Sequence, residues 1–417
     1  MTQPLAPPKR KNPLKRTRVP VAPPGVRSRA SLAMAIAAAE GRLAFQHCGD
    51  CGTVQYPPRE LCRACLSADL HWRDTDPAGR IIAETTIRAT PDTHFRDHLP
   101  IRIGTVAMNA GPSVICRLHG ETGRGDQVRL SARIDAAGQA ILLALPIKEL
   151  PHMRDDPSLR ELSTDPRHRR ILITDGRAPE VPALARALLE AGAAHVFIGL
   201  AEGWRPFAGR DGLAALEHCS LVPLDVTDAD SLRDLAGDIG ARVDILINNA
   251  RHTRPGGVLG RADTITARQE LETTVLGLVR LAHSFGQVMR ARGEDGVNSA
   301  VAWLNILPVG ALVPQGDHAM TSAAGAAALA LSHGLRAEMR GSGVRVVNLY
   351  AGPLDDEWHQ ELPPPKLAPR ALAQAVVRAL TDSVEEATAG EVARDLYVRW
   401  RENPALAIRE ANGGTTP

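Results

Sequence analysis

Four cysteines in two closely spaced pairs are the residues of this chain most clearly able to do chemistry. They lie in the segment 45–65, FQHCGDCGTVQYPPRELCRAC, which contains Cys48-x-x-Cys51 and Cys62-x-x-Cys65. Two thiolates at this spacing on a tight turn bind one tetrahedral Zn²⁺, and a second pair opposite them completes a four-sulfur site with no position left for water. We therefore predict a structural zinc, in preference to disulfides or free buried thiols.

The composition predicts several folded domains. The chain has 417 residues, of which 44% are hydrophobic and 23% charged. At roughly 150 residues per domain this length corresponds to two or three domains. No apolar run approaches the roughly 18 residues that cross a bilayer, so we expect no membrane span. Six cysteines are too few for a disulfide scaffold. Their pairing favours metal binding in a reducing compartment, and hence a cytoplasmic protein.

Residues 1–30 have a composition of their own. They contain seven prolines, eight Lys or Arg and no acidic residue, although the whole chain has a formal net charge of only +2. Such a segment cannot form a core, and we predict an extended, disordered arm. A solvated tail is the preferred interpretation. Binding of nucleic acid by the arm remains an alternative. A signal peptide is disfavoured, and we expect a short helix from Leu32 to Ala39 with Ser31 as its N-cap.

Five short runs with strand-like alternation lie between residues 80 and 147. They are RIIAETTIRA, IRIGTVAMN, SVICRLHG, QVRLSARID and QAILLALP, separated by turn signals. This layout predicts a five-stranded β-barrel of the OB-fold type, preceded over 31–79 by the short helix and the zinc ribbon. Many OB-folds bind single strands by base stacking, but Phe95 is the only aromatic residue in this stretch. Nucleic-acid binding by the barrel is therefore disfavoured.

Residues 30–147 resemble a known family. A short helix, the ribbon HCGDCG…YPPRELCRAC and a barrel containing HLPIRIGTVAMNAGP are similar to acyl-CoA-associated zinc-ribbon OB-fold proteins. Members of that family are usually accessory subunits of thiolase-like enzymes that cleave or form carbon–carbon bonds on acyl-CoA esters. The resemblance implies a thiolase-like partner whose active site this segment serves.

A second architecture follows a charged, proline-punctuated linker at 148–167. Apolar runs such as RILIT, HVFIG, VDILINNA and VRVVNLY alternate with helical segments, including Leu271–Arg292 and Ala319–Met339. This alternation predicts a doubly wound parallel sheet over 168–400. We expect the stretch 396–411 to add a last strand, with 401–417 as a C-terminal tail. DVTD, ILINNA and GVRVVNLYAGPL resemble the short-chain dehydrogenase/reductase family, which implies a Rossmann-type fold.

The resemblance also locates a cofactor loop whose glycines are missing. The family motif Thr-Gly-x-x-x-Gly-x-Gly is matched by residues 174–181, where the three glycine positions hold Asp175, Pro179 and Val181. Glycines at these positions let backbone N–H groups and a helix N-terminus approach a pyrophosphate. The substitutions add negative charge, remove a donor and add a branched side chain. We therefore expect NAD(P) binding to be unlikely.

The catalytic positions of that family are also changed. The family uses a Tyr, a Lys four residues later, a Ser and an Asn. The corresponding positions here are Met320 for Tyr, Ala324 for Lys, Leu307 or Pro308 for Ser, and Thr274 for Asn. Neither Met320 nor Ala324 can transfer a proton, so the catalytic set is predicted to be absent.

Taken together, these patterns predict a non-redox accessory or scaffold subunit of a thiolase-like acyl-CoA complex, with no activity as an isolated chain. The dehydrogenase-like domain is expected to act as a pseudoenzyme that forms homo- or hetero-oligomers through its two long helices. The alternatives are an NAD(P)-dependent oxidoreductase with an atypical active site and a nucleic-acid-binding protein that uses the basic arm.

Overall fold

A computed structural model describes Pro23 and residues 28–96, 98–260, 263–293 and 299–413. Almost all of the basic arm predicted over 1–30 therefore lies outside the described residues. Among the helices in the described part of the chain, none combines the length and the apolar character that a transmembrane segment requires.

The zinc ribbon is a three-stranded antiparallel sheet that follows helix α1 (Leu32–Ala39). Its central strand β1 (Ala44–Cys48) pairs with β2 (Val54–Gln55) on one side and with β3 (Leu70–Asp74) on the other. The helix has the predicted bounds and Ser31 lies at its N-cap position, but the predicted capping hydrogen bond is absent. Ser31 already belongs to a turn of 3₁₀ helix, and its hydroxyl donates to the carbonyl of Ser28, so it is not available to the first turn of α1.

The predicted barrel is present, with its strands closed in the order β4-β5-β6-β8-β7. In β7, and in most of β5, every second side chain is buried in the interior, which is why such alternating apolar runs become barrel strands. The strands, with the short helix α2 between the first two, are β4 (Ala78–Ile87), α2 (Thr93–Arg96), β5 (Ile101–Met108), β6 (Ser113–Leu118), β7 (Gln127–Ile134) and β8 (Ala140–Pro146).

The connecting segment 148–167 is ordered. It contains a short helix α3 (Pro157–Glu161), whose N-cap Asp156 accepts a hydrogen bond from the backbone N–H of Ser158 at 2.9 Å. Arg167 forms an ion pair with the buried carboxylate of Asp155. The segment also contacts both neighbours, since the N–H of Gly120 in the barrel donates to the Asp156 carboxylate at 2.7 Å and the hydroxyl of Thr164 donates to the carbonyl of Leu380 in the sheet domain at 2.5 Å.

The second domain is built on a seven-stranded parallel sheet with the order β11-β10-β9-β12-β13-β14-β15. This order confirms the doubly wound Rossmann-type architecture. Successive strands are added on one side of β9 as far as β11, and from β12 onwards they are added on its other side. Nearly every residue of the central strands is buried because helices cover both faces. The strands are β9 (Arg170–Ile173), β10 (His195–Leu200), β11 (Cys219–Pro223), β12 (Ile245–Asn248), β13 (Ala302–Pro308), β14 (Arg345–Ala351) and β15 (Glu386–Ala389).

The two predicted long helices of this domain are present. One runs from 265 to 292 and includes two π-helical turns, at 272–276 and 282–286. The other is α10, with the predicted bounds. The helices of this domain are α4 (Val181–Glu190), α5 (Arg210–Ala214), α6 (Ala229–Ile239), α7 (Ile265–Leu271), α8 (Gly277–Leu281), α9 (Gln287–Arg292), α10 (Ala319–Met339), α11 (Pro369–Asp382), α12 (Glu391–Glu402) and α13 (Pro404–Asn412).

The prediction of a last strand within 396–411 is wrong. The stretch forms the end of α12 and all of α13. Leu396, Tyr397 and Trp400 have helical rather than alternating spacing, and together they pack against the core on one side of the sheet. The last strand of the sheet is instead β15, at 386–389.

The ribbon and the barrel are joined to one edge of the sheet domain by specific contacts. The backbone N–H of Glu385 donates to the carbonyl of Ala39 at 2.7 Å. The hydroxyl of Tyr397 donates to the Glu40 carboxylate at 3.1 Å. Arg345 donates to the carbonyl of Ile134 in the barrel at 2.5 Å. These bonds fix the barrel beside β14 and β15.

Candidate functional site

The four predicted zinc ligands converge at one end of the ribbon. All four Sγ atoms lie within 4.8 Å of one another, and the Cys48–Cys65 and Cys51–Cys62 Sγ–Sγ distances are both 3.6 Å. Four sulfurs each about 2.3 Å from a tetrahedral Zn²⁺ are about 3.8 Å apart, whereas a disulfide needs about 2.05 Å. The arrangement therefore fits a four-sulfur zinc centre and not two disulfides.

Each cysteine pair lies on a turn closed by backbone hydrogen bonds. In the first turn the N–H of Gly52 donates to the carbonyl of Cys48 at 3.0 Å, and Gly52 adopts the left-handed φ of +72°. In the second turn the N–H of Leu66 donates to the carbonyl of Cys62 at 3.0 Å. Leu66 also has a left-handed φ of +62°, an unusual conformation for a branched side chain. Metal bound to both turns would offset that strain.

The altered cofactor loop, residues 174–181, connects β9 to α4 and is held by an asparagine. The Asn249 side chain accepts from the backbone N–H of Asp175 at 2.8 Å and donates to the carbonyl of Asp175 at 2.9 Å. Burial raises the pKa of Asp175, and the nearby N–H of Arg177 and the guanidinium of Arg251 oppose that rise. The loop is therefore fixed with a poorly solvated carboxyl group at its first glycine position.

A buried ion pair crosses the same loop. Glu180, immediately before α4, is almost fully buried, and its two carboxylate oxygens accept from Arg251 at 2.7 and 3.1 Å. Burial by itself lowers the pKa of Arg251, but the carboxylates of Glu180 and Asp175 outweigh that effect and the pKa is raised. Arg251 remains charged, and its guanidinium neutralises Glu180 at the helix N-terminus where family members hold a pyrophosphate.

A second arginine connects the loop to the segment after β10. Arg177 donates to the carbonyls of Glu202 and Arg205 at 2.8 and 2.9 Å, and its guanidinium lies 5.4 Å from the ring centroid of Phe207. These contacts draw the 202–207 segment against the 174–181 loop. Close by, Trp204 is 81% exposed.

Three of the positions that correspond to the family's catalytic residues line one cavity. Thr274, Leu307 and Pro308 surround it together with Arg251, and its volume is about 40 Å³. This volume holds about three water molecules. Met320 lies beside the cavity-lining Thr321 on α10, and Ala324 is buried one turn further along the same helix. The lining has an apolar side chain, Leu307 or Pro308, where the family has a serine, and a threonine, Thr274, where the family has an asparagine.

The structure adds polar residues to this region that sequence reasoning missed. Asp356 and His359, in the segment after β14, form a hydrogen-bonded pair with a distance of 2.6 Å from the carboxylate to Nδ1. His359 also stacks on His318. The only local signal was the spacing of an acid and a histidine by three residues, which places both on one turn.

A cluster of two histidines and a glutamate near the barrel is a poorer candidate metal site than the ribbon. His94, His98 and Glu161 bring potential ligand atoms within 4.8 Å of one another. However, the Glu161 carboxylate already accepts both guanidinium nitrogens of Arg117, at 2.5 and 3.3 Å. The positive charge of Arg117 opposes a cation at the same carboxylate.

Three protein-family models match the chain. Residues 37–71 match the ChsH2 rubredoxin-like zinc ribbon domain, and residues 72–133 match the ChsH2 C-terminal OB-fold domain. Residues 182–393, just over half of the chain, match the enoyl-(acyl carrier protein) reductase model. The order of the three matches is the order of the three folded parts described above.

Individual relatives are similar to the sheet domain. A farnesol dehydrogenase of Aedes aegypti is 32% identical over 109 residues, which is 25% of this chain and 41% of that protein. A short-chain dehydrogenase from Burkholderia cenocepacia, solved in complex with NADP, is 27% identical with a TM-score of 0.52, covering 60% of this chain and 98% of its own. This relative contains NADP and so does not support the expectation that NAD(P) is not bound here. That expectation stays a prediction.

Proposed function

The chain belongs to the enoyl-(acyl carrier protein) reductase family and carries a ChsH2-type zinc ribbon and OB-fold, and from this premise we propose that it is a non-redox accessory subunit of a thiolase-like acyl-CoA complex. The observation that carries the non-redox part is the buried Glu180–Arg251 pair. The proposal of a thiolase-like partner is supported by the resemblance of the ribbon and barrel to accessory proteins of thiolase-like enzymes.

The ion pair opposes a bound dinucleotide for electrostatic and steric reasons. A pyrophosphate at a helix N-terminus needs free backbone N–H groups and a positive field. Here the carboxylates of Asp175 and Glu180 stand at that point, and Pro179 has no N–H to offer. A cofactor would have to displace Glu180 from Arg251 and leave a charge unpaired in a buried position, which is costly. The proton donor is also missing, since Met320 and Ala324 cannot replace Tyr and Lys.

We expect NADPH and NADH not to bind saturably to the full-length, zinc-loaded chain at concentrations up to about 1 mM, the upper end of ordinary KM values. Fluorescence of the reduced nicotinamide during titration measures this directly, with an active short-chain dehydrogenase as the positive control. A hyperbolic curve with a Kd well below that limit would show that the altered loop admits the cofactor. The chain would then be better explained as an oxidoreductase.

That second candidate, an NAD(P)-dependent oxidoreductase, has one specific observation in its favour. The Burkholderia cenocepacia relative contains NADP, and this chain matches 98% of its length. An oxidoreductase of this kind would need a proton donor other than the family's tyrosine.

A groove between the two long helices supports oligomerisation of the sheet domain. It is open, has a volume of about 1020 Å³, and is lined by small residues such as Gly286 and Gly334. Val279 and Leu331 on its walls are 45% and 37% exposed. Small residues allow helices to approach closely, and exposed apolar side chains favour burial against a partner. The matching helices of a second copy, or of a related subunit, are the occupants we propose.

For the thiolase-like partner, the outer face of the barrel is the proposed contact. Ile115 on β6 and Ile82 at the bulge of β4 are 64% and 46% exposed, on either side of Thr105 of the intervening strand β5. Exposed apolar side chains that lie close together favour burial against a partner. The ribbon adds Leu66, which is 72% exposed beside the zinc centre.

Purification of the tagged chain from its native host at modest salt should recover a thiolase-like protein in fixed ratio. Replacing Ile115 with Asp should reduce that recovery about tenfold or more, because a charge would be buried in the contact. Leu259→Asp is the matched control, since Leu259 is fully exposed on the sheet domain. Absence of any thiolase-like protein from the wild-type eluate would contradict the proposed partner.

A further inference from the structure

Two histidine rings are stacked at the edge of the sheet where the family's catalytic residues lie. His318 immediately precedes α10, and His359 ends the one-turn helix Glu357–His359 after β14. Their ring centroids are 5.2 Å apart and their planes differ by 8°. In each ring one nitrogen has a hydrogen-bond partner in the described part of the chain and the other does not. The identity of that partner determines which nitrogen carries the proton in the neutral ring.

The partner of His359 is a carboxylate. Nδ1 lies 2.6 Å from Oδ1 of Asp356, an oxygen that also accepts the backbone N–H groups of Trp358 and His359. A carboxylate only accepts hydrogen bonds, so in the neutral ring the proton is on Nδ1. Nε2 then carries a lone pair, and it has no hydrogen-bond partner among the residues that the structure describes.

The partner of His318 is a backbone carbonyl. Nε2 lies 3.3 Å from the carbonyl oxygen of Trp358, which can only accept, so the proton of the neutral ring is on Nε2. The residue is only 5% exposed, and its Nδ1 is fully buried without a hydrogen-bond partner in the described part of the chain. A buried acceptor left unpaired in this way is destabilising, so a donor placed beside it would be favoured.

Two small cavities adjoin these rings. One is the cavity of about 40 Å³ lined by His359 and Leu307, and the other, of about 30 Å³, is lined by both His318 and His359. Pro308, Thr321 and Ala351 line both of them. The two cavities have mixed linings, in which apolar side chains such as Leu307 lie beside polar ones such as Arg251 and Thr321. A group that donates hydrogen bonds would satisfy the two nitrogen lone pairs.

We propose that His318 and His359 bind the hydroxyl group of a small hydroxyacyl compound. The O–H donates to Nε2 of His359, and Nδ1 of His318 accepts from a second donor such as a bound water. The apolar walls formed by Leu307 and Ala351 contact the carbon chain. Choosing a CoA ester as the carrier of this group rests on the proposed function, whereas recognition of the hydroxyl rests on the two rings.

Isothermal titration of the full-length, zinc-loaded chain with 3-hydroxybutyryl-CoA and with butyryl-CoA tests this site. We expect the hydroxy ester to bind about 10- to 100-fold more tightly, because the two esters differ only in the hydroxyl. His359→Phe keeps a ring stacked on His318 but removes the acceptor, so the preference should fall to about one. His333→Phe, at an exposed histidine of α10, should leave it unchanged.

Nitrogen NMR of the wild-type histidines gives a second measurement that does not depend on how the variants fold. Binding of the hydroxy ester should shift the Nε2 resonance of His359, and butyryl-CoA should not. Equal affinity for both esters would overturn this inference while leaving acyl-CoA binding intact. Failure of both esters to bind would also overturn it. A thiolase-like protein could still be recovered with the chain in that case, so the hydroxyl site and the proposed partner can fail separately.

Discussion

Replacing Cys62 with Ser should abolish zinc binding and unfold the ribbon. Zinc content measured by atomic absorption should fall from about one equivalent per chain to near zero, because a structural four-sulfur site contributes on the order of 10–16 kcal/mol to folding. Cys62 is fully buried, so a hydroxyl in its place would also be poorly solvated. Limited proteolysis should then cleave within 45–74, while the sheet domain resists.

Cys219→Ser is the matched control for that experiment. Cys219 is a partly buried thiol on β11, far from the ribbon in the fold, where burial raises its pKa to about 11. This variant should retain the full zinc content and the proteolytic pattern of the wild type. Retention of one zinc by Cys62→Ser would mean that the four cysteines are not the ligands.

Removing the carboxylate of Glu180 should strongly destabilise the sheet domain. Glu180→Ala leaves Arg251 charged and without its bidentate partner in a largely buried position, and breaking a buried pair in this way costs about 3–5 kcal/mol. Urea denaturation followed by tryptophan fluorescence measures the loss, since Trp204, Trp303, Trp358 and Trp400 all lie in that domain.

Two further variants separate the ion pair from a general loss of packing. Glu202→Ala removes a carboxylate that is 44% exposed and pairs with Arg205 at 3.3 Å, and it should cost less than about 1 kcal/mol. Replacing Glu180 and Arg251 together by Leu should return the unfolding midpoint towards that of the wild type, because neither member of the pair is left without the other. A small effect of Glu180→Ala would show that water already reaches Arg251.

The features that the sequence predicted correctly depend on short-range patterns. Spacing within each cysteine pair is set by a single turn, and the ten residues between the pairs allow the two turns to face each other. The alternation of apolar runs identified every barrel strand, and α10 has the predicted bounds, because period 2 and period 3.6 distinguish a strand from a helix. The order of strands and helices was sufficient for the Rossmann-type fold.

The C-terminal error came from the same kind of local evidence. Nine of the sixteen residues at 396–411 are apolar, and the prediction of a strand overlooked the helical spacing of Leu396, Tyr397 and Trp400. The stretch becomes helical because these side chains reach a core made by distant residues. Local spacing and tertiary packing therefore agree on helices there.

For the candidate site, the residue types could be read along the chain but their partners could not. The sequence located Asp175, Pro179 and Val181 in the loop and Met320 and Ala324 on the helix, because each position follows from a motif. Nothing local links Glu180 to Arg251, 71 residues later, or His318 to His359. Such pairs form because parallel strands end at one edge of the sheet and bring the loops that follow them together. The charge state of Arg251 and the proton positions on the two histidines depend on contacts between these loops. A motif read along the chain carries no information about such contacts.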